Sequence, residues 1–169
     1  MKKTKMTSLA ITSSLVLSMF AATLPAMAEQ YYSDVAEDHW AYSWVDYMHG
    51  KGYIHGYPDG TYRPDQNITR AEFVTILNYV LNSRNPANKD FTDVTNEDWF
   101  YDQIQWAAGA GYLSGYSDGS AKPNQYITRE EAAVVVSKAY HLKVNESGEG
   151  YTDTDEASDW ALPFIKTLT

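Results

Sequence analysis

The chain repeats itself at a fixed interval of 59 residues, and no other property narrows its possible folds as much. Trp40, Gly56 and Arg70 recur as Trp99, Gly115 and Arg129 without a gap. "YSDVAEDHWAYSWV" (32–45) aligns with "FTDVTNEDWFYDQI" (91–104), and "GKGYIHGYPDGTYRPDQNITRAE" (50–72) aligns with "GAGYLSGYSDGSAKPNQYITREE" (109–131). About a third of the aligned positions are identical. A third copy opens at "YTDTDEASDWALPFIKTLT" (151–169), where Trp160 matches Trp99 after one inserted residue. Units repeated in this way bury their apolar faces against one another, so neighbouring copies must pack.

Each full unit reads as helix, loop, helix. Trp40, Ala41, Trp44, Val45 and Met48 form a stripe at helical spacing, as do Trp99, Phe100, Ile104, Ala107 and Ala108. The tryptophans Trp40, Trp99 and Trp160 head these stripes and are expected in the core. Gly50 and Gly109 are expected to cap the first helices. "GYPDGTYRP" and "GYSDGSAKP" are dense in turn formers. The second helices open at Thr69 and Thr128, where Glu72 and Glu131 complete a capping-box spacing. They offer Phe73, Val74, Ile76, Leu77, Val80 and Leu81, or Ala132, Ala133, Val135, Val136 and Ala139, to a core. "NSRNPANKD" (82–90) and "LKVNESGEG" (142–150) read as polar linkers. The expected fold class is all-α: tandem helix-loop-helix units over 31–81 and 91–140, with a partial third over 151–169.

Residues 1–28 follow a different logic. Lys2, Lys3 and Lys5 precede the apolar run "SLAITSSLVLSMFAATL", and "AMA" (26–28) supplies small residues for cleavage, so a signal peptide is expected. No later stretch has the roughly 20 apolar residues of a membrane span. Removing the leader takes three lysines and no acids, which moves the net charge from −9 to −12. So acidic a chain is no general binder of nucleic acid or of anionic polymers. With no cysteine, an exported fold must hold by packing.

The unexpected charges are Arg70 and Arg129. Both fall in the first turn of a helix, where the dipole disfavours a cation by about 0.3–1 kcal/mol. They could simply form surface ion pairs. Alternatively, a guanidinium beside a capped helix start makes a compact anion pocket, its bidentate donors joining the free backbone N–H groups. Gly56 and Gly115 with Tyr57 and Tyr116 read as tight turns, or as a surface that a sugar could approach closely. Asp34 and Asp93 would cap the following turn or accept from sugar hydroxyls, and capping is favoured.

Several chemistries are excluded by pattern. Setting Gly60 at the sixth position of a calcium loop puts His55 at the first and Gln66 at the twelfth, where acids are needed. His39, His49, His55 and His141 lack metal-ligand spacing, do not recur between copies and read as solvated. Two sequons, "NIT" (67–69) and "NES" (145–147), carry little weight. No nucleophile elbow, zinc-protease motif or phosphate-cradling loop is present, so neither catalysis nor a cofactor is expected.

Phe/Tyr-x-Asp-Val, then Trp, then Gly-Tyr-x-Asp-Gly, then Ile-Thr-Arg-x-Glu, twice and in order, resembles the S-layer homology family. The resemblance implies units arranged around a pseudo-threefold axis, with the first helices in a central bundle. It implies non-covalent attachment to a secondary cell-wall polysaccharide linked to peptidoglycan, at the cell surface, with a pyruvate-ketal-bearing sugar recognised in grooves between units. Carried over by position, Arg70 and Arg129 at the Thr69 and Thr128 helix starts would hold the carboxylate, and the loops of Gly56 and Gly115 would line the groove. The third unit lacks both the glycine loop and the Thr-Arg-x-Glu start. Two other readings stay open: a partner that assembles with other chains bearing these repeats, and a wall hydrolase.

Overall fold

The computed structural model describes residues 30–145 and 151–168; the expected leader lies outside them. The described residues are helical, with α1 at Tyr42–Gly50, α2 at Arg70–Leu81, α3 at Tyr101–Gly109, α4 at Arg129–Ala139 and α5 at Leu162–Thr167. A single 3-10 turn covers Thr154–Glu156. The starts of α1 and α3, and those of α2 and α4, differ by the repeat interval of 59. The chain is therefore an all-α tandem repeat, as its sequence predicts.

The second helices begin where the capping boxes place them. Thr69 Oγ1 accepts from the Glu72 N–H at 3.3 Å, while Glu72 accepts from the Thr69 N–H at 2.8 Å. Thr128 and Glu131 repeat the exchange at 3.1 and 3.0 Å. Such reciprocal caps are worth about 1 kcal/mol each. The first helices end differently from expectation. Gly50 and Gly109 lie inside α1 and α3, and the left-handed stop falls two residues later, at Gly52 (φ 71°) and Gly111 (φ 85°). Gly109 has another use, because Asn85 of the preceding linker runs directly against it.

Packing is between units. α2 lies on α3, and α4 lies on α5. The larger core joins Ala71, Val74 and Leu77 of α2 to Phe100, Ile104 and Ala107 around α3, closed by Ala121 and Val135. A smaller core collects Tyr32, Val35, Ala41, Val45 and Ile54. The linker after α2 is pinned rather than loose: the buried Gln105 exchanges side-chain hydrogen bonds with the Lys89 backbone at 2.7 and 2.8 Å, and its carbonyl accepts from Ala87 at 3.0 Å.

The tryptophans overturn the core expectation. Trp40, Trp99 and Trp160 are 74%, 63% and 53% exposed, and Trp44 is 72% exposed. Two i,i+4 pairs compete for the inward side of α1. Ala41 and Val45 take it, so Trp40 and Trp44, one residue earlier, face outward.

Candidate functional site

Each glycine loop is tied down in the same way. In the second repeat, Tyr116 and Ser120 close a tight turn, with the Tyr116 N–H donating to the Ser120 carbonyl at 2.8 Å. Asp118 accepts from the Ser120 N–H and hydroxyl at 2.9 and 2.6 Å. Asp93, from the start of the repeat, accepts from the Ala121 and Lys122 N–H groups, both at 2.8 Å. Asp34 does the same for Tyr62 and Arg63, at 2.8 and 2.7 Å. These aspartates do not cap the turn that follows them. They hold Arg63 and Lys122 in left-handed backbone (φ 61° and 50°), a conformation that side chains resist without such support. The pull of those N–H groups keeps the Asp34 carboxyl below its ordinary value, against the upward push of burial.

The loop then meets its own helix cap. The Tyr57 hydroxyl donates to Glu72 at 2.6 Å, and the Tyr116 hydroxyl donates to Glu131. Burial and that carboxylate neighbour push both phenols up to about 12. Since the folded value exceeds the ordinary 10.0, the stabilisation is complete below pH 10 and is lost as pH climbs from about 10 to about 12. Spectrophotometric titration should therefore show late tyrosinate absorbance. Burial also raises Tyr32, Tyr42, Tyr62 and Tyr112, so the late amplitude should shrink by two phenols rather than vanish in the Tyr57→Phe, Tyr116→Phe double variant; an unchanged late amplitude would rule these two out. Burial raises Glu131, but the Thr128 N–H, the Tyr116 hydroxyl and Arg70 outweigh it and hold the carboxyl below its ordinary value.

The two arginines part company here. Arg70 is buried at 6% exposure. Its Nε donates to the Ala121 carbonyl at 3.0 Å, Nη1 lies 3.2 Å from Glu131, and the guanidinium sits 4.9 Å over the Tyr116 ring. It thus ties the first repeat's helix to the second repeat's loop. The backbone adds to the tie: the Arg70 and Ala71 N–H groups donate to the Gln125 and Pro123 carbonyls, both at 2.9 Å, and Thr69 bridges Tyr126. Arg129 occupies the same position in its own repeat, yet is exposed and makes no hydrogen bond or ion pair among the described residues. Two further charges lie over the loop tyrosines, Arg63 on Tyr57 at 3.9 Å and Lys122 on Tyr116 at 4.0 Å.

So the structure gathers Arg70, Gly115, Tyr116, Asp93 and Thr128 around the contact between repeats, with Gly56, Tyr57, Asp34 and Thr69 at the equivalent places in the first repeat. It leaves Arg129 apart from any loop of the described residues. Sequence reasoning missed Glu131 as the partner of Arg70, the left-handed pair Arg63 and Lys122, and the buried Asn78. The Asn78 amide donates to the Gln103 carbonyl at 2.9 Å and accepts from the Tyr112 hydroxyl. It also took His49 for a solvated side chain, whereas Nδ1 pairs with the Tyr32 hydroxyl at 2.8 Å and the ring stacks on Tyr31. Among the described residues no His, Asp and Glu cluster has the geometry to hold a metal, and no helix is long and apolar enough to cross a membrane.

Capped helices crossing from one repeat to the loop of the next define an all-α module of tandem repeats. The S-layer homology domain profile matches residues 31–74 and 90–133, and the chain belongs to that family. It is 35% identical over 144 residues to cell surface glycoprotein 1 of Acetivibrio thermocellus, covering 78% of this chain and 6% of that protein. It is 32% identical over 139 residues to S-layer protein EA1 of Bacillus anthracis, covering 79% and 16%. A cellulosome-anchoring protein of A. thermocellus is 31% identical over 114 residues, covering 64% and 25%. The chain therefore spans a quarter or less of each of these relatives.

Proposed function

We propose that this chain attaches non-covalently to the cell wall. The ligand is an anionic secondary wall polysaccharide, its acidic group a pyruvate ketal, held at the open Arg-bearing helix start of the second repeat. Membership of the family, with relatives named as S-layer and anchoring proteins, supports a cell-surface anchoring module rather than a catalyst.

The observation that carries the reading is the open helix start at Arg129. Its guanidinium is exposed, and among the described residues the Arg129 and Glu130 N–H groups lack the carbonyl partners that Arg70 and Ala71 have. Thr128 and Glu131 fix the direction of those donors, which suits a carboxylate. Arg70, Tyr57, Tyr116, Asp34 and Asp93 hold the loops and the contact between repeats, with Gly56 and Gly115 in the loop turns. One such pocket binds weakly, but a polymer presents its acidic sugar many times, so retention grows through effective concentration. The chain's net charge of −9 repels polyanions that do not fit.

Sedimentation with purified walls tests this. The protein should pellet with native walls, stay in solution with walls stripped of secondary polymer, and lose most of its retention in Arg129→Ala. Equal pelleting with both wall types would reject the polymer as ligand. Unchanged retention of the variant would reject Arg129 as its grip.

A further inference from the structure

We infer that the aromatic cleft on the first repeat is a docking groove for α4 of a second copy of this chain. The cleft encloses about 250 Å³ between Trp40, Trp44, Met48, Tyr62 and Pro64, and nothing among the described residues covers it. The chain itself displays what fits there. Fifty-nine positions on, the residues equivalent to Ala41, Trp44, Val45, Tyr62 and Pro64 are Phe100, Gln103, Ile104, Ala121 and Pro123, and all of them meet α2. Gln103 takes the Asn78 amide, Ala121 takes Arg70 Nε, and Pro123 takes the Ala71 N–H. Phe100 and Ile104 share a core with Val74 and Leu77.

Three features select α4 as the occupant. The first is size. The side chains that line the groove are larger than in its filled counterpart, with Trp44 for Gln103, Met48 for Ala107 and Tyr62 for Ala121, while the ridge of α4 is smaller at three of its contact positions, with Ala133 for Val74, Val136 for Leu77 and Ser137 for Asn78, and larger at one, with Glu130 for Ala71. Volumes that trade off across an interface keep it close-packed. The second is an orphan: Ser137 is 1% exposed, and its hydroxyl has no hydrogen-bond partner among the described residues. Docked as α2 is docked, it would meet the Trp44 carbonyl, the counterpart of the Gln103 carbonyl that Asn78 uses. The third is the unpaired Arg129. The first repeat holds a matching set that no helix start from another repeat fills among the described residues: the Tyr62 carbonyl, Glu72 and the Tyr57 ring, over which Arg63 lies at 3.9 Å, stand where Arg70 finds the Ala121 carbonyl, Glu131 and Tyr116.

In its own copy α4 is covered by α5, a six-residue helix whose N-cap residue Ala161 is fully buried, and Glu130 accepts from Ser158 at 3.0 Å. Docking exchanges this short cover for α1 and its loop. Two copies that do so reciprocally close on a two-fold axis. The reading does not depend on the wall ligand, and because both uses engage Arg129, the test is run without polymer.

Sedimentation velocity on the full chain should show a dimer that grows with concentration. Trp44→Glu blocks the groove and Arg129→Glu blocks the helix start; both positions are exposed, so each variant should keep its helical circular dichroism and sediment as a monomer. Mixed, the two should form a heterodimer, since one retains an intact α4 and the other an intact groove. Wall retention of Trp44→Glu should equal or exceed that of the wild type, because a monomer leaves Arg129 free for the polymer, which separates this proposal from the anchoring one. A wild type that stays monomeric at all concentrations, a groove filled from within the same chain included, would overturn the inference. So would a dimer that survives in both variants, or a mixture that stays monomeric.

Discussion

Replacing Arg70 by alanine is expected to destabilise the fold by about 3 kcal/mol, whereas the same change at Arg129 should stay within about 0.5 kcal/mol. The two residues hold one position in two repeats, so propensity, dipole and capping terms are shared and drop out of the comparison. What differs is burial. Both members of the Arg70–Glu131 pair are largely buried, with side chains 7% and 13% exposed. Removing the arginine leaves a carboxylate without its countercharge and the Ala121 carbonyl without its donor, and it opens the seam between α2 and the second loop. An uncompensated buried charge is the costly part. Arg70→Lys should recover little, because one ammonium cannot reach carbonyl and carboxylate together as a forked guanidinium does. Urea unfolding at constant slope gives the measurement. Equal losses at Arg70 and Arg129 would mean that the inter-repeat clamp contributes nothing.

That contrast also shows where the sequence was readable. Helix starts were legible because their signals are local: Thr69 with Glu72 and Thr128 with Glu131 declare a cap within four residues. Fold class followed from the repeat, which forces units to share their cores. The loops were placed correctly, but not the aspartates that hold them, because Asp34 and Asp93 act on backbone 28 and 29 residues away. Periodicity could not separate Ala41 and Val45 from Trp40 and Trp44, which carry the same spacing one residue out of phase. The arginines stand out in the sequence as electrostatic oddities, and at Arg70 the structure resolves the oddity as a buried pair with Glu131 rather than an open anion pocket. A single unit cannot reveal that Arg70 reaches a following loop while Arg129 is left open, since that depends on the neighbour each helix meets.

Gly109→Ala should be as disruptive as the loss of Arg70, and Gly50→Ala at the equivalent position should be harmless or mildly stabilising. Both glycines lie inside helices, where alanine is favoured by up to about 1 kcal/mol. Around Gly50 nothing stands within 4 Å of an added Cβ, so that preference is realised in full. At Gly109 the new methyl would collide with the Asn85 carbonyl and sit 3.0 Å from the Ala87 nitrogen. The linker cannot step aside cheaply. Gln105 holds it by three hydrogen bonds, at 2.7, 2.8 and 3.0 Å, and Lys89 Nζ fastens it again to the Ser114 carbonyl at 2.6 Å. Either these bonds break or α3 moves off α2, and each route costs on the order of 3 kcal/mol. Thermal unfolding of the two single variants would show opposite signs at one repeat position. If Gly109→Ala unfolded like Gly50→Ala, the close passage of the linker over α3 would be wrong, and with it the rigid seating of the second repeat on the first.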